Sequence, residues 1–273
     1  FKGDIESGLM KMMLIGLGKH AGARIYHRAI KDFSFGQIVR SVAREVLRRC
    51  SIVAGLAIVE NCYDQTAMLE AVHPEQFEER EKELLKIAKQ LMPRLPFDDA
   101  DILLLDEIGK DISGSGMDTN VVGRKHHDHE AAEGETPRIK NIIVRGLTEA
   151  THGNASGIGL AEFCRTRVVD EMNVEATRIN CVTGGHVTGA MVPVHYATDQ
   201  EVLDLALVSI GLTDPVDARL LWVRNTLDVS ELACSAAYFE EAQQRTDLEV
   251  LSEPEPLPLG SDGNLPDKVL NGS

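Results

Sequence analysis

The stretch ADILLLDEIG, residues 100–109, decides the fold class of this chain. Its centre, Ile102 to Leu105, is a short apolar run that ends in two acids, Asp106 and Glu107. Continuous apolar runs of this length are typical of strands that are buried on both faces of a parallel sheet. Similar runs at 140–149 (KNIIVRGLTE) and 217–226 (DARLLWVRNT) predict two further strands.

Helical patterns alternate with these strands. Amphipathic spacing or helix-end signals predict helices at 37–50 (QIVRSVAREVLRRC), 74–92 (PEQFEEREKELLKIAKQLM), 157–172 (GIGLAEFCRTRVVDEM) and 198–211 (TDQEVLDLALVSIG), with glycine-broken helical turns over 5–31. Two more apolar runs, 51–60 (SIVAGLAIVE, read as buried) and 176–183 (ATRINCVT), predict strands. This alternation indicates an α/β fold with mostly parallel sheets and flanking helices.

The connector PRLPFDD, residues 93–99, marks a domain boundary. We therefore expect a first domain over 1–95 and a second over 96–251. The segment 252–273 is rich in proline, glycine and acids, a composition typical of a disordered tail.

Composition limits the class of partner. The chain has 273 residues, of which 43% are apolar and 26% charged, as in ordinary globular proteins. Its net charge of −15 disfavours nucleic acid and anionic membranes, which select basic surfaces. No apolar stretch reaches the roughly 18 residues of a membrane span. Five cysteines without a CxxC pair indicate reduced thiols and a cytoplasmic location.

The segment GLMKMMLIGLGKHAGARIYH, residues 8–27, places Lys11 inside an apolar run and His27 sixteen positions later. One interpretation is a lysine that extends from a helix to solvent and a histidine that caps one. The other is a desolvated lysine used covalently, with a histidine that binds a metal. The bare residues leave both open.

Three other stretches carry candidate chemistry. Residues 103–124 leave a strand through Glu107 and Lys110 and enter a Gly-Ser-Gly loop, where an anionic substrate could bind, or they form a flexible connector. His152 lies in 148–163, either at an anion-binding helix start or at a plain turn. The exposed loop 125–137 holds His126, His127, Asp128 and His129, a zinc set or simply a hydrophilic surface.

The segments 1–27, 106–124 (DEIGKDISGSGMDTNVVGR) and 151–163 (THGNASGIGLAEF) resemble signature stretches of the nickel-pincer lactate racemase family, in particular its broader branch. The resemblance implies two α/β domains that face each other across a cleft. It implies that Lys11 carries a pyridinium mononucleotide with two sulfur arms, joined as a thioamide. It also implies that His27 ligates the nickel and that Gly16 and Gly18 bring backbone close to the cofactor.

The implied reaction is racemisation or epimerisation of a small anionic 2-hydroxy acid by hydride transfer to the cofactor. Lys110 resembles the family lysine that binds the substrate carboxylate. Glu107 stands in the substrate's vicinity where characterised lactate racemases have an amide, which puts lactate itself in question. Enzymes that synthesise the cofactor are the implied partners.

The resemblance places the family's proton-transferring histidines before Phe1. The chain is therefore expected to be truncated at its N-terminus and inactive alone, with His20 and His152 as its remaining candidate bases. Two alternatives stay open: a non-catalytic homologue that only holds the cofactor, and a zinc-dependent hydrolase that uses the histidines of 126–129.

Overall fold

The computed structural model describes residues 3–30, 32–63 and 65–267, and the side chain of His20 lies outside that description. The chain divides into two compact units. The N-terminal unit comprises 1–93 with 183–185, and the C-terminal unit comprises 94–182 with 186–273. No helix among the described residues is long and apolar enough to cross a membrane.

The N-terminal unit is mainly helical. Its elements are α1 (Leu9–Lys11), a π-helical turn (Met12–Gly16), α2 (Lys19–Ala29), α3 (Phe35–Arg49), β1 (Gly55–Glu60), β2 (Thr66–Val72) and α4 (Phe77–Leu91). Helix α3 begins at a reciprocal cap between Ser34 and Gln37, and Pro74 opens the short 3-10 turn before α4. These helices confirm the predictions over 37–50 and 74–92.

The strand predicted over 51–60 forms only in part, and its predicted burial is wrong. Strand β1 pairs with β2 as an antiparallel two-stranded sheet. Leu56 and Ile58 are each 58% exposed on it. A two-stranded sheet has too few neighbours to cover both faces, so alternate apolar side chains face outward.

The C-terminal unit contains a six-stranded sheet of order β6-β5-β4-β3-β7-β8. Its strands are β3 (Asp99–Leu105), β4 (Arg138–Val144), β5 (Phe163–Arg165), β6 (Val194–Tyr196), β7 (Leu220–Val223) and β8 (Ala233–Cys234). All neighbouring pairs are parallel except β7 with β8. Four helices belong to the same sequence region: α5 (Thr166–Glu171), α6 (Val174–Thr183), α7 (Asp199–Val208) and α8 (Phe239–Gln244). The predicted α/β class with a mostly parallel sheet is confirmed.

Both faces of this sheet are buried, as the apolar runs predict. Leu103 and Leu105 belong to one core cluster, whereas Ile102 and Leu104 belong to another. Helix α7 contributes Val202, Leu203 and Ala206 to the second cluster. Alternate residues of a strand point to opposite faces, so the continuous run ILLL contributes side chains to both core clusters.

Two predicted elements are wrong. Residues 157–172 form a 3-10 turn, strand β5 and the short α5 instead of one helix, and 176–183 lie in helix α6 instead of a strand. Gly159 lies so close to Thr188 that an added Cβ would be 1.9 Å from its carbonyl oxygen, a tertiary contact that a continuous helix would not make. Helix α6 is favoured by Asn173, whose Oδ1 accepts from the Ala176 N–H at 3.0 Å.

A buried ionic network lies beside the ends of the strands. Arg145, which follows β4 and is 1% exposed, donates to Asp106 and to both oxygens of Asp199. Its guanidinium also lies 5.4 Å from the Trp222 ring centroid. Asp199 accepts a further bond from the Leu265 N–H at 2.9 Å. The network therefore ties β4, the residue after β3 and α7 to the C-terminal segment.

The segment predicted as a disordered tail differs from that expectation where it is described. Residues 252–267 contain neither helix nor strand. Nevertheless, Leu265 is 4% exposed and belongs to the core cluster under α7. Arg145 donates to the Leu265 and Pro266 carbonyl oxygens at 3.0 and 2.8 Å. This part of the segment is held against the sheet by packing and hydrogen bonds.

Candidate functional site

The N-terminal unit brings Lys11 and His27 within range of each other's charge. Lys11 ends α1 and is followed at once by the π-helical turn, and His27 lies in the last turn of α2. The pKa of His27 is lowered, chiefly by burial and then by the positive charge of Lys11. Short π-helical turns occur often at functional sites. The fold therefore places two residues that are sixteen positions apart in the sequence close enough for the charge of one to affect the pKa of the other.

The Lys11 amine is partly desolvated. Burial is the main cause that lowers its pKa, and the carboxylates of Glu6 and Glu81 oppose the shift. Its Nζ donates to Ser7 Oγ at 3.3 Å and lies 6.0 Å from the Phe35 ring centroid. A lowered pKa increases the fraction of neutral amine, which is the nucleophilic form of lysine.

One ring nitrogen of His27 is buried. Its ring packs edge-on against that of Tyr26, with centroids 4.9 Å apart. Its Nδ1 is buried and makes no hydrogen bond within the described part of the chain. Leaving such an atom unpaired typically costs about 1–3 kcal/mol. Neutral imidazole is also the form that binds metals. The pair therefore fits a site in which lysine carries a covalent group and histidine binds a metal.

Glu81 holds the Lys11 segment in place, a role that the sequence analysis missed. This α4 residue is 5% exposed, and it accepts from the Met10 N–H at 2.7 Å and the Glu6 N–H at 3.1 Å. A Cβ on Gly8 would lie 2.4 Å from Glu81 Cδ, so the contact requires glycine there. The available signal was spacing, because Glu81 falls four residues after the buried Phe77 on the apolar face of α4.

Gly16 and Gly18, expected to bind the cofactor, differ in their surroundings. A Cβ on Gly18 would lie 2.2 Å from the Leu14 carbonyl oxygen, so the chain's own packing requires that glycine. A Cβ on Gly16 would meet only the flexible end of Met12, at 2.4 Å. The contact of either glycine with a cofactor stays a prediction.

The second site lies at the carboxyl ends of β3 and β7. The chain continues from β3 to β4 on one side of the sheet, whereas β7 is added on the other side, so β3 and β7 flank a topological switch point. Ligands of open α/β sheets commonly bind at such points. Glu107 follows β3, and its Oε1 accepts from Arg224 Nε at 2.9 Å and from Asn225 Nδ2 at 3.0 Å. No sequence pattern singles out Arg224 and Asn225, although both directly follow the predicted strand core.

Lys110 and His152 lie in adjoining turns near that edge. The Lys110 backbone N–H donates to Thr151 Oγ1 at 3.1 Å, and its Nζ donates to the Gly114 carbonyl oxygen at 2.6 Å. His152 directly follows Thr151 and adopts a left-handed backbone conformation with φ of 50°. The structure thus groups Lys110 with the turn before His152.

The histidines of 125–137 are exposed, and each faces a different carboxylate. The pairs are His126 with Glu135 (2.7 Å), His127 with Glu130 (3.4 Å) and His129 with Glu162 (2.9 Å), whereas Asp128 pairs with His186 (2.8 Å). Among the residues that the structure describes, no group of three or more His, Cys, Asp or Glu is placed to hold a metal ion. Side chains that diverge in this way give the zinc-hydrolase alternative no geometric support.

Fold and sites together define an α/β protein with a half-buried lysine–histidine pair in one unit and a polar cluster at strand ends in the other. No protein-family model, curated protein or solved structure matches the chain. A shared fold would in any case leave function undetermined, since function depends on the chemistry of particular sites.

Proposed function

We propose that this chain holds a nickel-pincer nucleotide through Lys11 and His27 and belongs to a racemase or epimerase of 2-hydroxy acids. The observation that carries the proposal is the Lys11–His27 pair: a partly desolvated amine and, within range of its charge, an imidazole whose buried Nδ1 has no hydrogen-bond partner among the described residues. A cytoplasmic location and dependence on cofactor-synthesising enzymes are part of the same proposal.

Lys11 has the chemistry that a covalent bond to the cofactor requires, and His27 has the chemistry of a nickel ligand. Burial favours the neutral amine of Lys11, as acyl-type bond formation requires, and Glu81 fixes the backbone that carries it. The lowered pKa of His27 keeps its ring neutral at neutral pH, so a nitrogen lone pair is available to nickel. When bound, the cofactor would supply a reversible hydride acceptor.

Lys110 is proposed to bind the substrate carboxylate. Lys110 follows β3, and within the described part of the chain the one contact given for its Nζ is with the Gly114 carbonyl oxygen, at 2.6 Å. The negative charge of Glu107 is paired, because Arg224 forms an ion pair with it at 2.9 Å. An anionic substrate is therefore compatible with Glu107. A role for His152 as a base stays a prediction.

The test of the proposal is nickel retention. The protein is produced together with the cofactor-synthesising enzymes, purified, and analysed for nickel by mass spectrometry. We expect nickel in the wild-type protein and its loss from His27→Ala, because the cofactor's own donors leave one position for a protein ligand. The matched control is His195→Ala, which removes an exposed histidine and should keep its nickel.

Two outcomes would contradict this assignment. One is a His27→Ala protein that retains nickel, and the other is nickel that disappears when residues 125–130 are deleted instead.

Lys110→Ala is expected to weaken binding of 2-hydroxy acids to the cofactor-loaded protein by roughly tenfold to a hundredfold. A charge-assisted hydrogen bond of about 1.5–3 kcal/mol is lost, which corresponds to that range. Titration calorimetry with lactate, 2-hydroxybutyrate and malate measures the change. Lys125→Ala serves as the control, and equal affinities of the wild-type and Lys110→Ala proteins would reject the role.

A further inference from the structure

Cys181, His186 and Asp128 form a cluster that the proposed function does not use. Cys181 lies near the end of α6 and is 6% exposed. The chain then turns through Gly185, with φ of 71°, and the His186 N–H donates back to the Cys181 carbonyl oxygen at 3.0 Å. This turn returns the His186 ring to the side of α6 that carries the Cys181 sulfur.

Asp128 orients the imidazole. Asp128 Oδ1 pairs with His186 Nε2 at 2.8 Å, and its Oδ2 accepts from Thr188 Oγ1. Burial opposes ionisation of Asp128, but the bonds from Thr188 and His186 outweigh it and lower its pKa, so the group is a carboxylate at neutral pH. A carboxylate only accepts, and therefore the proton of a neutral His186 ring resides on Nε2. Nδ1 is then the basic nitrogen.

That basic nitrogen is directed toward the same space as the thiol. A Cβ on Gly189 would lie 3.3 Å from His186 Nδ1 and 3.5 Å from Cys181 Sγ. The two atoms therefore border one small volume, which stays open because residue 189 has no side chain. The His186 side chain is 42% exposed whereas Cys181 is 6% exposed, so the imidazole is the more accessible group of the pair.

We infer that Cys181 is a nucleophilic thiol, deprotonated by His186 and positioned with the help of Asp128, and that it exchanges with small disulfides. In the exchange, the Cys181 proton moves to His186 Nδ1 and the thiolate attacks one sulfur of the disulfide. A new S–S bond forms, the old one breaks, and the second sulfur leaves as a thiol after taking the proton. Cys181 is oxidised to a mixed disulfide and the leaving half is reduced.

The test uses a background in which Cys50, Cys62 and Cys234 are replaced by serine, so that Cys164 and Cys181 remain. Cys164 is 0% exposed and burial raises its pKa to about 12, so it serves as an internal unreactive thiol. The folded protein is mixed with dithiodipyridine at neutral pH, and thiopyridone release is followed together with peptide mass analysis. We expect modification at Cys181 and not at Cys164.

Substitutions at three positions probe the deprotonation of Cys181 by different means. His186→Gln removes the base and should slow the Cys181 reaction by about tenfold or more. Gly189→Ala changes none of the three residues but adds a methyl group 3.3 Å from the present position of Nδ1 and 3.5 Å from that of Sγ, and should slow the reaction as well. Asp128→Asn should slow the reaction, with partial recovery in Asp128→Glu, because a carboxylate is needed to fix the tautomer. His195→Gln is the control and should react at the background rate.

Circular dichroism and melting temperature show which variants are folded, and only these are compared. Equal rates in the background protein and in both His186→Gln and Gly189→Ala would overturn the inference. So would a folded background protein in which Cys181 is as unreactive as Cys164. If one variant does not fold, the other decides.

Discussion

Replacing Lys11 with arginine is expected to abolish attachment of the cofactor. The substitution keeps a positive charge and a long side chain but removes the amine that forms the bond. In the wild-type protein, produced with the cofactor-synthesising enzymes, peptide mass spectrometry should find the adduct on the peptide that contains Lys11. In Lys11→Arg the adduct should be absent, not merely reduced, because a guanidinium stays protonated and does not act as a nucleophile.

Lys19→Arg is the matched control for this prediction. Lys19 lies in the same segment, at the start of α2, but its side chain is exposed, whereas the pKa of Lys11 is lowered chiefly by burial. The control should carry the adduct at the wild-type level. An unmodified Lys11 peptide from the wild-type protein, beside a modified known racemase from the same host, would exclude the tether.

Arg145→Met is expected to destabilise the C-terminal unit by about 3–5 kcal/mol, the range observed when one partner of a buried ion pair is removed. Arg145 is 1% exposed and binds Asp106, Asp199 and two carbonyl oxygens of the C-terminal segment. Methionine keeps much of the side-chain volume but leaves the two carboxylates without this partner. Urea unfolding followed by Trp222 fluorescence measures the change, since Trp222 is the single tryptophan and lies in this unit.

Arg138→Met provides the comparison for the stability measurement. Arg138 begins the same strand, β4, but is exposed, so its replacement should alter stability by no more than about 0.5 kcal/mol. If the free energy of unfolding of Arg145→Met falls by less than about 1 kcal/mol, the network contributes little more stability than a packed apolar side chain does.

The same network predicts how wild-type stability responds to acid. Burial opposes ionisation of Asp199, but hydrogen bonds and charge from Arg145, with further bonds from Leu265 and Arg165, lower its pKa below 3.8. The associated stability is therefore present above the ordinary aspartate pKa of about 3.9 and is lost as the pH falls through the lower folded value. In Asp199→Asn, the free energy of unfolding measured by urea titration should fall less steeply as the pH is lowered through this range.

Several elements could be predicted because their signals are local. The apolar core of β3, the capping residue Thr198 of α7 and the proline that opens the turn before α4 each act over a few residues. Lys110 lies in the loop after β3 and His27 lies in α2, as the local patterns predict, and the functional roles of both stay predictions.

Other elements depend on distant contacts. The segment 176–183 has the β-branched residues of a strand but is helical, and tertiary contacts hold its start: the Ala155 N–H donates to Thr177 Oγ1 at 3.0 Å, and the Asn173 N–H donates to the Gly153 carbonyl oxygen at 2.8 Å. The tail contains no periodic pattern, yet Leu265 is buried because Arg145, 120 residues earlier, binds its carbonyl oxygen. Propensity measures local preference, and tertiary contacts override it.

By itself, the sequence determined the α/β class and the parallel sheet, because continuous apolar runs between amphipathic helices bury stably in few other ways. It also determined which residues have the chemistry of interest: an amine in an apolar run, an imidazole and an acid–lysine pair after a strand. Only the tertiary structure decided which of them meet. Among the described residues, His27 Nδ1 has no hydrogen-bond partner. Glu81 contacts α1 from 71 residues away, and Asp128 pairs with His186, whose Nδ1 borders the same space as Cys181 Sγ. Desolvation and side-chain pairing arise from neighbours in space, which no local pattern in the chain specifies.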